Sequence, residues 1–184
     1  MTDPVPTGYP GGMTDSSTYS GTDRSTDSSE GNAKVHELIK DARIAMLTTV
    51  STEGRLVSRP MATQQTEFEG DVWFFAEADS PKIDDIERDP RVNVAYSSGN
   101  FVSLAGTASI VRDVAKKREL WDAGAAAWFG DKDAEDPSVV LIKVDAETAE
   151  YWDTPSRPAV LIKVVKAKLT GSRPDAGETG LVEL

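Results

Sequence analysis

The chain has 184 residues, of which 39% are hydrophobic, and a formal net charge of −11. This size fits one domain with unpacked ends better than two full domains. The acidic balance argues against nonspecific binding to DNA or RNA, which requires a basic surface. The chain contains no cysteine, which excludes disulfides, thiolate zinc sites and thiol nucleophiles, and it has no apolar run long enough to predict a membrane span.

Both ends of the chain are predicted to be disordered tails around one domain. Residues 1–32 consist mainly of Ser, Thr, Gly, Asp and Pro, with too few aliphatic side chains to offset the entropy of ordering. Residues 171–184 look like a shorter version of this acidic tail, so the domain is expected over residues 33–170. The N-terminus has neither the basic nor the apolar segment of a secretory signal, and we therefore expect a cytoplasmic protein.

The first part of the domain is predicted to contain one helix and three strands. The helix covers residues 33–42, where apolar side chains recur at helical spacing. The strands cover residues 43–50, 55–66 and 71–76. A turn at Glu69-Gly70-Asp71 would close the last two strands into a hairpin and place them side by side. Pro60 cannot donate a ladder hydrogen bond, so it marks an edge position or a bulge in the second strand.

The next element is a helix for which Ser80 is the predicted N-cap. Pro81 stands at the first helical position, where a missing N–H costs nothing, and Asp89-Pro90 ends the helix. Further strands are predicted over residues 91–97, 101–111, 139–144 and 148–153, and further helices over residues 114–123 and 157–169. The last of these helices could also be a strand, because its β-branched content is high. Six or seven short strands at hairpin spacing, with few helices between them, predict a mostly antiparallel β-barrel with peripheral α-helices.

Common enzyme motifs are absent from the chain. There is no Gly-x-Gly-x-x-Gly fingerprint, no Walker A sequence and no Gly-x-Ser-x-Gly elbow. His36 is the only histidine, and its place beside the tail predicts a surface residue rather than a catalytic base or a metal ligand. The loop over residues 125–136 ends in an acidic cluster. Because Asp136 stands where a calcium loop has glycine, a solvated loop is the better interpretation.

Two cations predict an anion site. Arg59 lies on the second predicted strand, and Lys82 stands at the start of the following helix. Arginine offers a planar fork for phosphate oxygens, lysine a point charge, and a helix N-terminus unpaired N–H groups. The alternative is a surface cation on a strand beside an ordinary helix cap, with Asp84 and Asp85 satisfying the helix end. Both interpretations remain open at this point.

Five short motifs occur in order along the domain. They are Arg59-Pro60-Met61, Val72-Trp73-Phe74-Phe75, Ser80-Pro81-Lys82, Asp89-Pro90-Arg91-Val92-Asn93-Val94 and Glu150-Tyr151-Trp152-Asp153. Together they resemble the general stress protein 26 group of the pyridoxamine 5′-phosphate oxidase-like, FMN-binding split-barrel superfamily, over roughly residues 33–171. The resemblance implies a six-stranded antiparallel split β-barrel that forms a homodimer and holds FMN between its subunits.

The resemblance also implies which residues bind the cofactor. They are Arg59, Pro60, Met61, Ala62, Thr63, Gln64, Phe75, Ala76, Ser80, Pro81, Lys82 and Trp152. By analogy, residues 59–64 run along the flavin, with Arg59 reaching the phosphate, and residues 80–82 complete the phosphate site. Residues 75–76 would meet the ring through their backbone, and Trp152 would come from the partner subunit.

The chain departs from the oxidase itself in two places. Residues 153–158, which follow the late tryptophan, contain no histidine, and Asn100-Phe101 stands where the oxidase has a flavin-contacting glutamine. The resemblance therefore supports FMN binding better than vitamin B6 oxidation. Related split barrels use the deazaflavin F420 or haem, and these cofactors stay open as alternatives. The leading hypothesis is an FMN-binding oxidoreductase or flavin reductase with a small-molecule electron donor or acceptor. The alternatives are a non-catalytic flavin-binding or sensing protein and a cofactor-free interaction domain. No catalytic residue is assigned.

Overall fold

The computed structural model describes residues 28–64, 66–153 and 178–184, and these form four helices and seven strands. The helices are α1 (Ser28–Ile39), α2 (Pro81–Arg88), α3 (Val114–Leu120) and α4 (Ala123–Phe129). The strands are β1 (Ile44–Val50), β2 (Leu56–Ala62), β3 (Asp71–Glu77), β4 (Arg91–Ser97), β5 (Phe101–Val111), β6 (Val139–Asp153) and β7 (Glu178–Glu183). The predicted helix over residues 157–169 lies outside the described residues.

The strands form one antiparallel sheet in the order β2-β1-β4-β5-β6-β3. The first half of β6 pairs with β3, and its second half pairs with β7. The path starts at β2 and ends at β3 without closing between them. This confirms the expected mostly antiparallel split barrel, and it places Pro60 on an edge strand, one of the two positions that its missing N–H allows.

The predicted hairpin of the second and third strands is wrong. β2 pairs with β1, where Arg59 lies opposite Leu47, whereas β3 pairs with β6, where Phe75 lies opposite Leu141. The turn at Gly70 leads towards β6, since its carbonyl accepts from the amide of Ala146 at 2.8 Å. β3 is apolar on both faces and needs a partner strand that is also buried on both faces, which β2 is not.

Two apolar clusters explain the pattern of β3 and β6. Phe74 and Ile142 belong to the main core inside the barrel, which α1 covers. Phe75 and Leu141 point to the other side of the sheet, into a smaller cluster with residues of α3 and α4 such as Phe129. Successive side chains of a strand point to opposite faces, so β3 and β6 join the two clusters.

The second half of the domain differs from the prediction in two elements. β6 is one strand over Val139–Asp153 rather than two, because a bulge beside Ala105-Gly106 absorbs the irregularity where a turn was predicted. A Cβ added to Gly106 would overlap the carbonyl oxygen of Asp145, so the bulge requires glycine there. Residues 125–136 were predicted as a loop, but they begin within α4, whose N-terminus Asp122 caps by accepting from the amide of Ala125.

The expected limits of the domain shift at both ends. α1 begins at Ser28 rather than at residue 33, and β7 lies within the segment that was predicted to be a disordered C-terminal tail. The two elements pack against each other, since a Cβ added to buried Gly31 would overlap the side chain of Val182. Lys34 also pairs with Asp153 at 3.0 Å. Contacts distant in the sequence therefore order segments whose composition predicts a tail.

Candidate functional site

The opening of the split barrel lies between β2 and β3, the two strands that end the sheet. Within the described residues β2 pairs only with β1 and β3 only with β6, and the two strands approach each other. An edge strand presents N–H and C=O groups that no neighbouring strand uses. The opening, called here the cleft, therefore offers backbone donors and acceptors from both of the strands on which cofactor contacts were predicted.

Arg59 stands at this cleft, and its guanidinium is held in place. Nη2 donates to Oδ2 of Asp85 at 3.0 Å, and Nη1 donates to Oγ1 of Thr49 at 2.8 Å. The Thr49 hydroxyl donates to the same Asp85 oxygen at 2.9 Å. Asp85 and Thr49 are buried, whereas the Arg59 side chain keeps 26% of its exposure. Arg59 is therefore an ordered, half-buried cation with donors left for an anion, because a guanidinium carries five N–H groups.

The N-terminus of α2 lies at the same site and has no side-chain cap. Ser80 occupies the N-cap position with an extended backbone, as predicted, but its hydroxyl does not cap the helix. The hydroxyl donates instead to the carbonyl of Glu77 at 2.8 Å and accepts from Nζ of Lys82 at 3.1 Å. Pro81 has no N–H at the first helical position. The amide of Ile83 already donates to the carbonyl of Ser80 at 2.9 Å, so the amide of Lys82 is the first donor that this eight-residue helix can offer an anion.

Lys82 lies one helical turn before Asp85, the partner of Arg59, on α2. Burial lowers the pKa of the Lys82 ammonium, and the positive charge of Arg59 lowers that pKa further, while Glu77 acts in the opposite direction. A half-buried lysine near a second cation is stabilised by an anion placed between them. The two predicted cations therefore lie near each other. The helix α2 brings them together, because it carries Lys82 and its Asp85 accepts a hydrogen bond from Arg59.

The other predicted cofactor residues are divided between the cleft and its surroundings. Pro60 and Ala62 are exposed on β2, whereas Met61 is buried between them. The side chains of Phe75 and Ala76 are buried, and a contact between their backbone and a cofactor stays a prediction.

Thr63 and Gln64 follow β2 and leave the sheet. The Thr63 amide donates to the carbonyl of Arg43 at 3.1 Å, and its hydroxyl donates to the carbonyl of Ala42 at 2.6 Å. Both residues line a pocket beneath α1, together with Tyr96. The window of residues 59–64 therefore runs from the Arg59 cluster to the mouth of this pocket.

Trp152 is not brought to the cleft within one subunit. It lies near the end of β6, opposite Phe101 of β5, and β6 is separated from β2 by three strands of the sheet. Its side chain is 43% exposed. A contact between Trp152 and a cofactor at the Arg59 cluster would need a second subunit, and that role stays a prediction.

Sequence reasoning missed two contacts, one at the site and one outside it. Asp85 was considered only as a competitor for the helix end, but it anchors Arg59; the available signal was its place between Ile83 and Ile86 on the buried face of α2. The prediction that His36 is a surface residue is wrong. Its ring is half-buried, and Nδ1 accepts from the buried amide of Phe68 at 3.2 Å.

The acidic residues near Asp133 make local turns. Oδ1 of Asp133 accepts from the amides of Glu135 and Asp136, and Oδ1 of Asp136 accepts from the amide and hydroxyl of Ser138. Across the described ranges, no group of three or more His, Cys, Asp or Glu side chains is arranged to hold a metal ion. Among the same residues, no helix has the length and apolar character needed to cross a membrane.

Comparison with known proteins assigns the chain to a family. The family described as pyridoxamine 5′-phosphate oxidase like matches residues 30–175. Protein bli-3 of Neurospora crassa is 36% identical over 121 residues, which span 59% of this chain and 58% of that protein. The chain therefore matches little more than half the length of this curated relative.

Solved structures show the same fold. A candidate general stress protein 26 of Jannaschia sp. CCS1 has a TM-score of 0.70 at 28% identity, covering 85% of this chain and 99% of that one. The general stress protein 26 of Bacillus anthracis str. Sterne has a TM-score of 0.58 at 28% identity, covering 66% and 93%. The general stress FMN/FAD binding protein of Xanthomonas citri has a TM-score of 0.58 at 29% identity, covering 67% and 89%. These likenesses confirm the resemblance to the general stress protein 26 group.

Proposed function

Because the chain belongs to the pyridoxamine 5′-phosphate oxidase-like family, we propose that it is an FMN-binding flavoprotein that acts as a flavin-dependent oxidoreductase or flavin reductase. The observation that carries the proposal is the meeting of Arg59, Lys82 and the uncapped start of α2 at the cleft. A similar solved structure is named an FMN/FAD binding protein, which supports a flavin as the ligand.

The residues present fit the phosphate of FMN. Arg59 and Lys82 supply positive charge, the first turn of α2 supplies N–H groups, and Asp85 holds the Arg59 fork in one orientation. FMN ends in a phosphate, which a site of this kind can hold. The FAD molecule continues beyond its pyrophosphate and would have to extend past the site. The exposed edges of β2 and β3 would then supply backbone contacts to the isoalloxazine ring.

A bound flavin would supply the electron transfer between a small-molecule donor and acceptor. The chain's own residues would bind the flavin, orient it and shield it from water. Ser80 would orient Lys82, since its hydroxyl accepts from Nζ at 3.1 Å. The buried side chains of Met61 and Ala76 would exclude water from the inner side of the cleft. No acid or base is assigned to a proton transfer.

We propose further that two copies of the chain pair through the outer face of the sheet. This face carries a row of cross-strand neighbours: Pro60, Met46, Ala95, Ser103, Glu150 and Leu181. Its members are small or apolar apart from Glu150, and Met46 is 39% exposed. A large exposed apolar patch on a protein marks an interaction site, and two-fold pairing of identical patches is the commonest solution. Trp152 lies on the same face, so pairing could carry it to the partner's cleft.

The absorbance spectrum of purified protein, followed by mass spectrometry of what it releases on denaturation, tests this function. We expect a flavin spectrum and FMN in the released fraction. A colourless protein that FMN cannot restore would favour the cofactor-free interaction domain. A bound flavin that NAD(P)H does not reduce with turnover would favour the non-catalytic alternative. Sedimentation at micromolar concentration tests the pairing, and a flavin-loaded monomer would contradict it.

A further inference from the structure

A second pocket lies beneath α1, and none of its lining residues belongs to the Arg59–Lys82 cluster. Its volume is about 210 Å³, and its walls come from α1, from the segment between β2 and β3, from the first half of β3 and from Tyr96 of β4. An engineered cavity of about 150 Å³ holds benzene, and pockets for drug-sized ligands start at about 300 Å³. The size therefore suits a molecule with a single ring.

His36 offers this pocket a hydrogen-bond donor. Its Nδ1 accepts from the Phe68 amide at 3.2 Å, which requires an unprotonated Nδ1. In a neutral imidazole the proton then lies on Nε2, at the opposite edge of the ring. Because His36 lines the pocket and Phe68 occupies its Nδ1 edge, Nε2–H is the donor that remains for a ligand.

Tyr96 offers a second donor from β4. Only 4% of its surface is exposed, and burial raises the pKa of its phenol, so the hydroxyl stays protonated at every physiological pH. The side chain lines the pocket from the barrel side, whereas His36 lines it from α1. Two neutral donors that approach from different elements match an acceptor such as a carbonyl oxygen.

The charges around the pocket disfavour an anion. Glu67 and Asp71 line it, and the lining cation Lys40 is paired with both oxygens of Glu37 at 2.7 and 2.8 Å. Asp71 lies 3.6 Å from Lys143, which reduces its effect without reversing it. Phe68, Trp73 and Phe74 add aromatic wall. The ligand that fits these features is uncharged and aromatic.

We propose that this pocket binds an uncharged, single-ring aromatic compound with a carbonyl group, of the aromatic amide or quinone class. The ring packs against Trp73 and Phe68, and the carbonyl oxygen accepts from Nε2 of His36 and the hydroxyl of Tyr96. Thr63 and Gln64 lead from β2 into the pocket, so its ligand would sit at the far end of the window that begins at Arg59.

Titration of the full chain with benzamide, and with benzoate as its charged counterpart, tests the proposal. The ring protons of His36 are a unique NMR probe because the chain has one histidine. We expect a saturable shift of these signals with benzamide and none with benzoate at the same concentration. No saturation with benzamide, or equal binding of benzoate, would overturn the proposal.

Tyr96→Phe and Tyr151→Phe form a matched pair of variants. Tyr96→Phe removes one hydrogen bond to the carbonyl and should weaken benzamide about threefold to tenfold. Tyr151 is also buried, but it lies on β6 beside Gly180 of β7 and does not line the pocket, so Tyr151→Phe should leave the affinity unchanged. An unchanged affinity in Tyr96→Phe, with the His36 signals still reporting a folded protein, would overturn the assignment.

The same titration with and without FMN separates this proposal from the proposed function. Benzamide should bind in both cases, because the pocket lies outside the Arg59–Lys82 cluster and shares only Thr63 and Gln64 with the predicted cofactor residues. Displacement of benzamide by FMN would show that the pocket is part of the flavin site and would overturn the inference. Benzamide binding to a protein that never binds FMN would support the inference while the flavin proposal fails.

Discussion

Two lysines with reduced exposure contrast a structural cation with one that we propose binds a ligand. Lys117 on α3 is 2% exposed, and its Nζ donates to the carbonyls of Asp136 at 2.8 Å and Val139 at 2.9 Å. Lys82 is only half-buried and donates to one hydroxyl, that of Ser80. Lys117 ties a loop to a strand and has its donors directed at backbone. Lys82 has been partly desolvated beside Arg59 without comparable compensation, which is the condition for recruiting an anion.

Arg59 combines both roles, and its removal should have the largest effect on stability. Arg59→Ala leaves the buried Asp85 carboxylate without its cation, which should lower the free energy of unfolding by about 3 kcal/mol. Chemical denaturation measures this loss. The double variant Arg59→Ala, Asp85→Ala removes the orphaned charge and should recover most of the stability without restoring FMN affinity. Equal stability of the single and double variants would show that the orphaned Asp85 carboxylate is not the cause of the loss.

Lys117→Met tests the structural side of the comparison. Two charge-assisted hydrogen bonds are lost while the apolar stem is kept, so the free energy of unfolding should fall by about 2 kcal/mol. FMN affinity should stay as in the parent, because Lys117 lies outside the cleft. Denaturant unfolding and FMN titration of the same preparation measure both quantities. A loss of FMN affinity without a loss of stability in Lys117→Met would contradict the structural role that distinguishes Lys117 from Lys82.

Lys82→Ala tests the ligand-binding side. One charge-assisted contact to phosphate is worth about 1.5–3 kcal/mol, so FMN should bind roughly 10- to 150-fold more weakly, since about 1.4 kcal/mol is tenfold. Stability should change little, because Lys82 has one neutral partner. Riboflavin has the same ring without the phosphate, and its affinity should hardly change. Parallel losses for both ligands would indicate a folding effect, and no loss for either would place the phosphate elsewhere.

The pH dependence of FMN binding should show the smallest effect. Burial and the charge of Arg59 lower the pKa of Lys82 in the free protein, and a bound phosphate would raise it again. Affinity should therefore be full below the lowered pKa and fall as the pH rises through it, by up to tenfold per unit. The parent should show this decline in alkaline titrations, and Lys82→Ala should not. A decline of the same size in both proteins would assign it to another group.

The candidate site was predicted from the sequence for a partly wrong reason. Arg59 and Lys82 were expected to meet because a hairpin would join the strand of Arg59 to the strand that precedes Lys82, but β2 and β3 lie at opposite ends of the sheet path. They meet because α2 packs across β1 and its Asp85 reaches Arg59. Residue type and spacing singled out Arg59 and Lys82 as candidates for an anion site, and the packing of a helix brought them together.

The sequence by itself determined the elements whose signals are local. Alternation of buried and exposed side chains marks β1 and β4, Ser80-Pro81 marks the start of α2, and Pro60 limits β2 to an edge or a bulge. These signals work because the pleat of a strand and the cap of a helix involve neighbouring residues. The resemblance to the general stress protein 26 group also rested on short local motifs.

Only the tertiary structure decided which elements lie beside one another. β3 pairs with β6 because both must bury two faces, and β7 is ordered by its pairing with β6, although its composition predicts a tail. The Asp85 carboxylate is buried because Arg59 and Thr49 approach it from other elements, and Nδ1 of His36 accepts from an amide 32 positions away. Such partners are set by which surfaces exclude water together, and a run of neighbouring residues carries no record of them.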